Sequence, residues 1–308
     1  MNVKTWLKGN THMHSTRSDG TATAQELVEW YHRLGYDFIA ITDHNRYLQE
    51  YEIQALRLPP GFILLNGSEL SYKSEVTMKP VDVCDVGGYN VDPPGHAVVF
   101  VKGGPTETAE SAISSATGIP VLNHPCWRWP MTADDIIAIK LWHLLEIWNP
   151  SSDCNSYTIH GVDSPENMWD KVLSAGKKIW AVSADDAHGL PHGGVEWMAG
   201  GRLAWIRVGA KERTAEAIME AMRDGNFYCT TGVELEELNI SPRVYQLRVA
   251  QFRDRQYAIH FIGHNGKELQ VVNGTLASYS VRGDEGYVRV RIVDTMGCMC
   301  WTQPLFVT

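Results

Sequence analysis

NTHMHSTRSDG, residues 10–20, places two histidines one residue apart and a carboxylate five residues further along the chain. In an extended segment, residues i and i+2 point to the same side, so His12 and His14 can offer both imidazoles to one cation. Asp19 lies in a Ser-Asp-Gly sequence that favours a turn, and we expect it to reach a neighbouring cation. A single His-x-His is more typical of a polar loop at a strand end. This stretch is more informative because similar signals recur along the chain, each beside an apolar run.

The composition excludes several classes of protein. The chain has 308 residues, enough for one large α/β domain or a domain with a small appendage. Its formal net charge of −9 argues against electrostatically driven binding to nucleic acid or to an anionic membrane. Residues 1–10 lack a signal-peptide core, and no window of about 18 apolar residues predicts a membrane span. The six cysteines are dispersed without a Cys-x-x-Cys motif, which predicts reduced thiols and a cytoplasmic location.

Polar residues follow four apolar runs that have the character of buried strands. Between the first and second strands, Thr23 and Glu26 form a capping-box pattern that predicts a helix ending at Gly35. The four runs and the residues that follow them are 37–42 with Asp43-His44-Asn45, 62–66 with Gly67-Ser68-Glu69, 119–122 with Asn123-His124-Pro125, and 178–182 with residues 183–188.

These elements alternate in the manner of an α/β protein. Further helices are predicted at 106–117, 132–139, 165–175 and 214–223, and further strands at 4–11, 97–101, 142–148 and 203–208. Alternating strands and helices indicate a parallel sheet, and polar residues at successive strand ends indicate a barrel with its site at the carboxyl rim. His96 is an exception, because it precedes its strand and must come from an entering loop.

The pattern of predicted secondary structure changes after Gly232. Short alternating runs are expected at 245–250, 257–262, 269–272, 287–293 and 299–306, with turn residues between them. We therefore expect two domains, an α/β barrel over residues 1–232 and a small antiparallel β module over residues 233–308.

Nine polar residues near the strand ends form the candidate metal site. Taken singly, each is more typical of a structural residue, whereas the set as a whole indicates ligands that converge. Nine nitrogen and carboxylate ligands exceed the needs of one four-coordinate cation and suit zinc, iron or manganese. The set contains His12, His14, Asp19, His44, Glu69, His96, His124, Asp186 and His188.

These motifs resemble those of the PHP (polymerase and histidinol phosphatase) metallohydrolases. The similarity runs from about Asn10 to His188 and continues more loosely to Gly232. The layout from Gly67-Ser68-Glu69 to Gly95-His96-Ala97 also resembles the subgroup that contains carbaryl-type ester and carbamate hydrolases. The motifs of the resemblance are His12-x-His14, Ser18-Asp19-Gly20, Thr42-Asp43-His44, Gly67-x-Glu69, Gly95-His96, Asn123-His124-Pro125 and Asp186-x-His188.

The resemblance implies a distorted seven-stranded (βα) barrel with three divalent metal ions (Zn, Mn or Fe). It assigns residues to the three positions by motif, not by any geometry visible in the sequence. The first metal would be bound by His12, His14, Glu69 and Asp186, the second by Glu69 as a bridge with His96 and His124, and the third by Asp19, His44 and His188.

Hydrolysis of a small phosphate ester is the first functional hypothesis. A hydroxide bridging two cations would attack phosphorus in line, since metals lower the pKa of bound water. Asp186, His188 and Arg17 are the candidate catalytic residues, with Arg17 as a phosphate clamp and Arg128 and Arg202 as weaker candidates. A solvated surface position is an equal alternative for each arginine. The acidic balance favours a small substrate over a long nucleic acid.

Two other hypotheses keep the metal centre. One is hydrolysis of a carboxylic ester, carbamate or lactone, motivated by Trp127, Trp129, Trp142 and Trp148, which could line an apolar pocket. For Trp142 we expect a core position. The other is a binding or scaffold module that acts through the β tail, which loses support because no expected ligand is missing.

Two carboxylates adjoin predicted ligands and leave alternatives open. Asp43 is expected to orient His44 or a neighbouring imidazole. Asp185 competes with Asp186 for the metal, although the Asp-x-His spacing favours Asp186. The sequence does not determine the metals, the ester that is cleaved, the role of the β module or the oligomeric state.

Overall fold

The computed structural model describes residues 6–89, 97–151, 153–190 and 204–307. None of the helices in these ranges has the length and apolar character needed to cross a membrane. The described α-helices are α1 (Ala24–Arg33), α2 (Glu50–Ala55), α3 (Pro105–Ser115), α4 (Ala133–Ala138), α5 (Pro165–Ser174) and α6 (Ala215–Arg223).

Nineteen strands are found in the same ranges. The first eleven are β1 (Leu7–Asn10), β2 (Phe38–Ala40), β3 (Ile63–Leu65), β4 (Gly67–Ser74), β5 (Pro80–Val86), β6 (Val99–Val101), β7 (Ile119–Leu122), β8 (Leu144–Trp148), β9 (Ala181–Ser183), β10 (Trp205–Val208) and β11 (Phe227–Thr230). The remaining eight are β12 (Leu235–Ile240), β13 (Val244–Val249), β14 (Tyr257–Gly263), β15 (Lys267–Asn273), β16 (Leu276–Ser280), β17 (Tyr287–Asp294), β18 (Met299–Thr302) and β19 (Leu305–Phe306).

The described strands form three sheets. The largest has the order β15-β14-β17-β18-β11-β10-β1-β2-β3, with β19 beside β17, and the second has the order β6-β4-β5-β7-β8-β9. A third sheet contains β12, β13 and β16. The predicted mixed α/β fold with a C-terminal β domain is confirmed. A single closed seven-stranded barrel is not confirmed by this pairing, because β5 runs antiparallel to both of its neighbours and β10 runs antiparallel to β1.

Two isolated bridges bring the two large sheets together at one edge. Met13 pairs in parallel with Ala187, and His44 pairs in parallel with Glu69. The segments that follow β1, β2 and β9 therefore lie side by side, next to the beginning of β4. This edge carries most of the polar residues singled out in the sequence.

Helix α1 forms as its sequence predicts. Thr23 accepts a hydrogen bond from the amide of Glu26, and the Glu26 side chain accepts one from the Thr23 amide. This capping box satisfies amides that lack partners inside the helix. The helix buries Leu27 and Tyr31, and the chain leaves it through Gly35 at a φ of +75°.

The β4–β5 hairpin differs from the sequence expectation. Residues 67–69 were predicted as the polar end of the strand at 62–66, yet Glu69 lies inside the separate strand β4 and pairs with Cys84 of β5. Polar residues interrupt the apolar pattern of β4, so the usual alternation of a half-buried strand is weak there. Two polar residues of β4, Glu69 and Ser71, contact His44 instead of packing in a core.

The C-terminal residues form antiparallel strands, as predicted. The expected strand at 299–306 is divided into β18 and β19 at Pro304, which has no amide hydrogen to donate to a sheet. Strand β18 pairs with β11, so the large sheet continues through the predicted boundary between residues 232 and 233. The C-terminal strands are thus hydrogen-bonded to the N-terminal part of the chain.

A buried ion pair also connects the two parts. Arg289 of β17 is 1% exposed and donates to both carboxylate oxygens of Asp170 at 2.7 and 2.6 Å, and to Glu166 at 2.8 Å. The hydroxyl of Tyr287 donates to Asp170 at 2.7 Å. Both carboxylates belong to α5, so these contacts fix β17 against that helix.

Replacing Arg289 with alanine should destabilise the protein by about 3–5 kcal/mol, because Asp170 would stay buried without its cation and Glu166 would keep only Arg291, 3.6 Å away. Urea unfolding of the purified protein measures this change. Arg248→Ala is the matched control, since Arg248 is exposed and 3.9 Å from Glu236, and its loss should cost less than about 1 kcal/mol. Equal losses for the two variants would contradict the role given to Arg289.

Candidate metal centre

The extension of β1 carries His12 and His14 into the interior. Hydrogen bonds from the His14 amide to Ala187 O at 2.8 Å and from the Thr42 amide to Met13 O at 2.9 Å keep this segment extended. Alternation then places both imidazoles on one side, and their Nε2 atoms are 3.3 Å apart. Both side chains are buried, at 2% and 0% exposure.

The turn after His14 is held by Asp43. Its carboxylate accepts hydrogen bonds from the amide and the hydroxyl of Ser15 and from the hydroxyl of Ser18, each at 2.7 Å. These contacts join Asp43 to the turn, whereas the sequence led us to expect a contact with an imidazole. Gly20 closes the turn, where a Cβ atom would lie 2.2 Å from His14 O. The turn brings Asp19 to within 3.6 Å of His14 Nδ1.

Glu69 lies at the centre of the cluster. It is 1% exposed, and four imidazoles surround its carboxylate. The contacts to Glu69 Oε1 are His124 Nε2 at 3.1 Å and His12 Nε2 at 3.3 Å, and those to Oε2 are His44 Nδ1 at 3.2 Å and His14 Nε2 at 3.3 Å. Glu69 thus contacts imidazoles from three separate segments of the chain, those of His12 and His14, of His44 and of His124.

The segment after β9 contributes Asp186 and His188. Asp186 Oδ1 lies 3.1 Å from His14 Nε2 and 3.2 Å from His12 Nε2, while His188 Nε2 lies 3.5 Å from Asp19 Oδ2. Asp185 points elsewhere, because it accepts from Tyr31 and from the Ala204 amide. Of the two adjacent carboxylates, Asp186 faces the cluster.

The structure brings eight of the nine predicted ligands together, and His96 lies outside the described residues. Nothing in this geometry tests metal binding itself, so the ligand roles stay predictions. Three groups have ligand atoms within 4.8 Å of one another: His12, Glu69 and His124; His12, His14 and Asp186; and His14, Asp19, His44 and His188. The shared members join the three groups into one cluster.

When no cation is bound, the electrostatics of the cluster raise the pKa of three imidazoles, those of His12, His124 and His188, whereas burial lowers the pKa of His14. Burial lowers the pKa of His124, but the hydrogen bond to Glu69 and nearby carboxylates outweigh burial and raise it to about 9. Burial also lowers the pKa of His188, but Asp19 and Asp186 outweigh burial and raise it to about 9. The same balance, led by Asp186, raises the pKa of His12 well above its ordinary value.

The chelator-treated protein should lose stability as the pH rises from 6.5 to 8. In this window the imidazoles of His124 and His188 remain protonated in the folded protein but lose protons in the unfolded chain. Rising pH therefore stabilises the unfolded state relative to the folded state. We expect a decrease of roughly 1 to 3 kcal/mol, measured by urea unfolding at several pH values.

His124→Gln should reduce this pH dependence, whereas the exposed His32→Gln should leave it intact. A free energy of unfolding that rises between pH 6.5 and 8 in chelator-treated protein would contradict the proposed imidazolium pairs.

Glu146 also contacts the cluster, although it is absent from the set of residues predicted from the sequence. It is 1% exposed on β8, with Oε1 3.4 Å from His12 Nδ1 and Oε2 accepting from the His124 amide at 2.8 Å. Asn149 donates to Asp186 at 3.0 Å and lies 3.5 Å from Glu146. A carboxylate on the far nitrogen of a metal-binding histidine fixes its tautomer and orientation. Its position inside an apolar strand, Leu-Leu-Glu-Ile-Trp, was the available signal.

Glu146→Gln should lower the affinity for Mn²⁺ or Zn²⁺ by roughly 10- to 100-fold, because His12 would lose the charge that fixes its ring. Calorimetric titration of chelator-treated protein with the metal measures this change. Circular dichroism of the same samples controls for folding. An affinity equal to that of the unaltered protein would show that Glu146 only fills the core.

The three arginines proposed as phosphate clamps differ in their surroundings. Arg17 forms an ion pair with Glu52 of α2 and is not among the described residues that line the cavity at the cluster. Arg128 is exposed and lies over the Trp127 ring, 4.5 Å from its centroid. Arg202 lies outside the described residues. Binding of phosphate by Arg17 stays a prediction.

A cavity of about 480 Å³ opens onto the cluster. Of the four tryptophans considered in the sequence, Trp127 lines this cavity, Trp148 is buried against Trp301, and Trp129 is 39% exposed. Trp142 is 41% exposed, so its expected core position is wrong. Burial and the charge of Glu69 raise the pKa of Asp82, another lining residue, to about 6. The described lining residues are Asp19, His44, Glu69, Asp82, His124, Trp127, Ser151, Asp153, Cys154, Asp186 and His188.

Comparisons with known proteins give limited sequence similarity. No protein-family model matches the chain. The DNA polymerase/3′-5′ exonuclease PolX of Bacillus subtilis is 36% identical over 86 residues, which is 23% of this chain and 15% of that protein. The chain therefore spans a small fraction of the length of this relative.

Similarity in structure extends over the whole chain. A two-domain protein of Bacteroides vulgatus containing a predicted PHP-like metal-dependent phosphoesterase aligns over 99% of this chain and 96% of its own, with 16% identity and a TM-score of 0.50. An amidohydrolase of Chromobacterium violaceum aligns over 62% of this chain and 89% of its own, with 16% identity and a TM-score of 0.44. The first alignment shows that the fold is PHP-like. The resemblance predicted from the motifs is confirmed at this level, while the carbaryl-hydrolase-like subgroup is not.

Proposed function

We propose that this protein is a metal-dependent hydrolase that cleaves a small phosphate ester at a centre of three divalent cations. The observation that carries the proposal is the cluster of three ligand groups, in which the group of His12, His14 and Asp186 shares His12 with one of the other two groups and His14 with the other. A PHP-like fold supports it. Neither the number of cations nor the substrate follows from the fold alone.

The donor set fits divalent cations. It consists of imidazole nitrogens and carboxylate oxygens, which suit zinc, manganese and iron. Among the described residues, no hydrogen-bond partner lies within 3.5 Å of the buried His14 Nδ1, and Asp19 Oδ1 lies 3.6 Å away, as expected of two atoms that would hold a cation between them. The cations would be held by His12, His14, Asp19, His44, Glu69, His124, Asp186 and His188, with His96 as the remaining predicted ligand.

Cations in such a centre lower the pKa of bound water and neutralise charge that develops on phosphoryl oxygens. The protein supplies the geometry. Glu69 would be shared between positions, Glu146 and Asn149 orient His12 and Asp186, and Asp43 holds the turn that carries Asp19. In the overall reaction the P–O bond to the leaving group breaks, water supplies the new P–O bond, and the alcohol leaves with a proton.

Hydrolysis of a carboxylic ester or carbamate is the alternative use of the same centre. Trp127, which lines the cavity, favours it, because an aromatic wall suits an uncharged substrate. We rank the phosphate ester first, since several cations close together stabilise the charge of a phosphoryl group better than that of one carbonyl oxygen.

The remaining expectations belong to the same proposal. The isolated bridges at Met13 and His44 support a distorted seven-stranded barrel over residues 1–232, followed by a β module over residues 233–308. We further propose that the protein acts in the cytoplasm on a small molecule rather than on a long nucleic acid or a membrane.

Chelator-treated protein should be inactive, and activity should return with Mn²⁺, Zn²⁺ or Fe²⁺. The same metal-loaded sample is tested with p-nitrophenyl phosphate, bis-p-nitrophenyl phosphate and p-nitrophenyl acetate. Faster turnover of a phosphate ester is expected, and turnover of the acetate alone would favour the alternative.

Asp186→Asn should reduce kcat/KM by roughly 100-fold or more, because one charged ligand would be lost. Asp254→Asn is the matched control, since Asp254 is exposed in the β13–β14 loop and its replacement changes the net charge equally. Unchanged activity of Asp186→Asn, with metal content verified, would overturn the proposal.

A further inference from the structure

The cavity has a wall beside the ligand cluster, where Trp127 packs edge-on against His124 with ring centroids 5.4 Å apart, and two loops joined by hydrogen bonds form it. Trp127 Nε1 donates to Asp153 Oδ2 at 2.7 Å, and the amide of the Asn155 side chain donates to Cys126 O at 3.0 Å. Ser151 donates to the other oxygen of Asp153 at 2.9 Å. These bonds join the loop after β7 to the loop after β8.

The backbone of the first loop is constrained at the same place. Arg128 and Trp129 both have left-handed backbone, with φ values of 59° and 54°. Non-glycine residues in this region are strained and persist when their surroundings hold them. Here the Lys79 ammonium donates to Trp129 O at 2.6 Å, and the Arg128 guanidinium stacks on Trp127. The wall is therefore a fixed arrangement that positions the Trp127 ring.

The described residues that line this cavity include more acidic than basic side chains. Among its described lining residues, none is lysine or arginine, and Arg128 lies on Trp127 outside the lining set. Two carboxyl groups lie outside the predicted ligand set, Asp153 in this wall and the buried Asp82. Cations at the cluster would bind the phosphoryl group, so the rest of the substrate faces a wall that has carboxylates, a hydroxyl and an indole.

We propose that this wall, formed by Trp127, Ser151 and Asp153, acts together with Asp82 elsewhere in the cavity lining to select phosphate esters with a neutral or cationic leaving group and to reject those that carry a second anion. The inference rests on the proposed phosphoesterase function and names its substrate class. A carboxylate repels a second anion at close range, and it attracts an ammonium or accepts a hydrogen bond from a hydroxyl. The indole ring adds an apolar or cation–π surface for the same group.

Three phosphate esters of similar size test this proposal. Glycerol 3-phosphate has a neutral leaving group, O-phosphoethanolamine a cationic one, and 3-phosphoglycerate an anionic one. We expect kcat/KM for the first two to exceed that for 3-phosphoglycerate by about tenfold or more at low salt. The difference should narrow at 0.5 M salt (roughly a 4 Å screening length), because Asp153 is exposed.

Asp153→Asn keeps the shape of the side chain and an acceptor for Trp127 but removes the charge. In this variant the preference against 3-phosphoglycerate should fall to about threefold or less, mainly through KM, whereas the control Asp254→Asn should keep it. Trp127→Phe removes the donor that holds Asp153 and should weaken the same preference.

The outcomes separate the two levels of the proposal. If the protein hydrolyses all three esters and Asp153→Asn leaves the preference among them unchanged, the proposed role of the wall is wrong. The proposed phosphoesterase function would stand in that case. Absence of turnover of every phosphate ester by metal-loaded protein that hydrolyses p-nitrophenyl acetate would overturn the phosphoesterase function and this inference with it.

Discussion

The rest of the site depends on one buried carboxylate. Glu69 lies within 3.3 Å of imidazole nitrogens from four histidines, in an interior where a lone charge would be very unfavourable. Its charge must be balanced by protonated imidazoles or by cations, and the surrounding chain is arranged to supply them. The charge of these neighbours holds the pKa of Glu69 well below its ordinary value despite burial. A polar interior of this kind is stable only when every member has partners.

The partners of Glu69 come from distant parts of the chain, so the fold has to fix several loops at once. Backbone hydrogen bonds from Thr42 and to Ala187 hold the His12 segment on both sides. Asp43, Glu146 and Asn149 then act on neighbouring segments without belonging to the predicted ligand set. This layer of supporting polar groups explains why the strands around the site are rich in buried polar residues.

The C-terminal β domain is part of this support. Its sheet is continuous with the strand β11, and Arg289 binds two carboxylates of α5 in the interior. Helix α5 packs on β8, the strand that provides Glu146. The β domain is therefore connected through α5 to the strand that carries Glu146. The inferred specificity wall lies on the loops after β7 and β8, so β8 both carries Glu146 and leads into part of that wall.

The sequence by itself determined the alternation of strands and helices, the capping of α1, the PHP-like motifs and the residues that the structure brings together around Glu69. These features are local, because side-chain period, capping residues and His-x-His or Asp-x-His spacing act over a few residues. Only the tertiary structure decided that Glu69 lies inside β4, that Glu146 supports His12 and that Asp43 binds Ser15 and Ser18. The orientation of these carboxylates depends on which distant donors reach them, and that information is absent from residue spacing. The continuity of the C-terminal strands with the large sheet was likewise decided by long-range pairing.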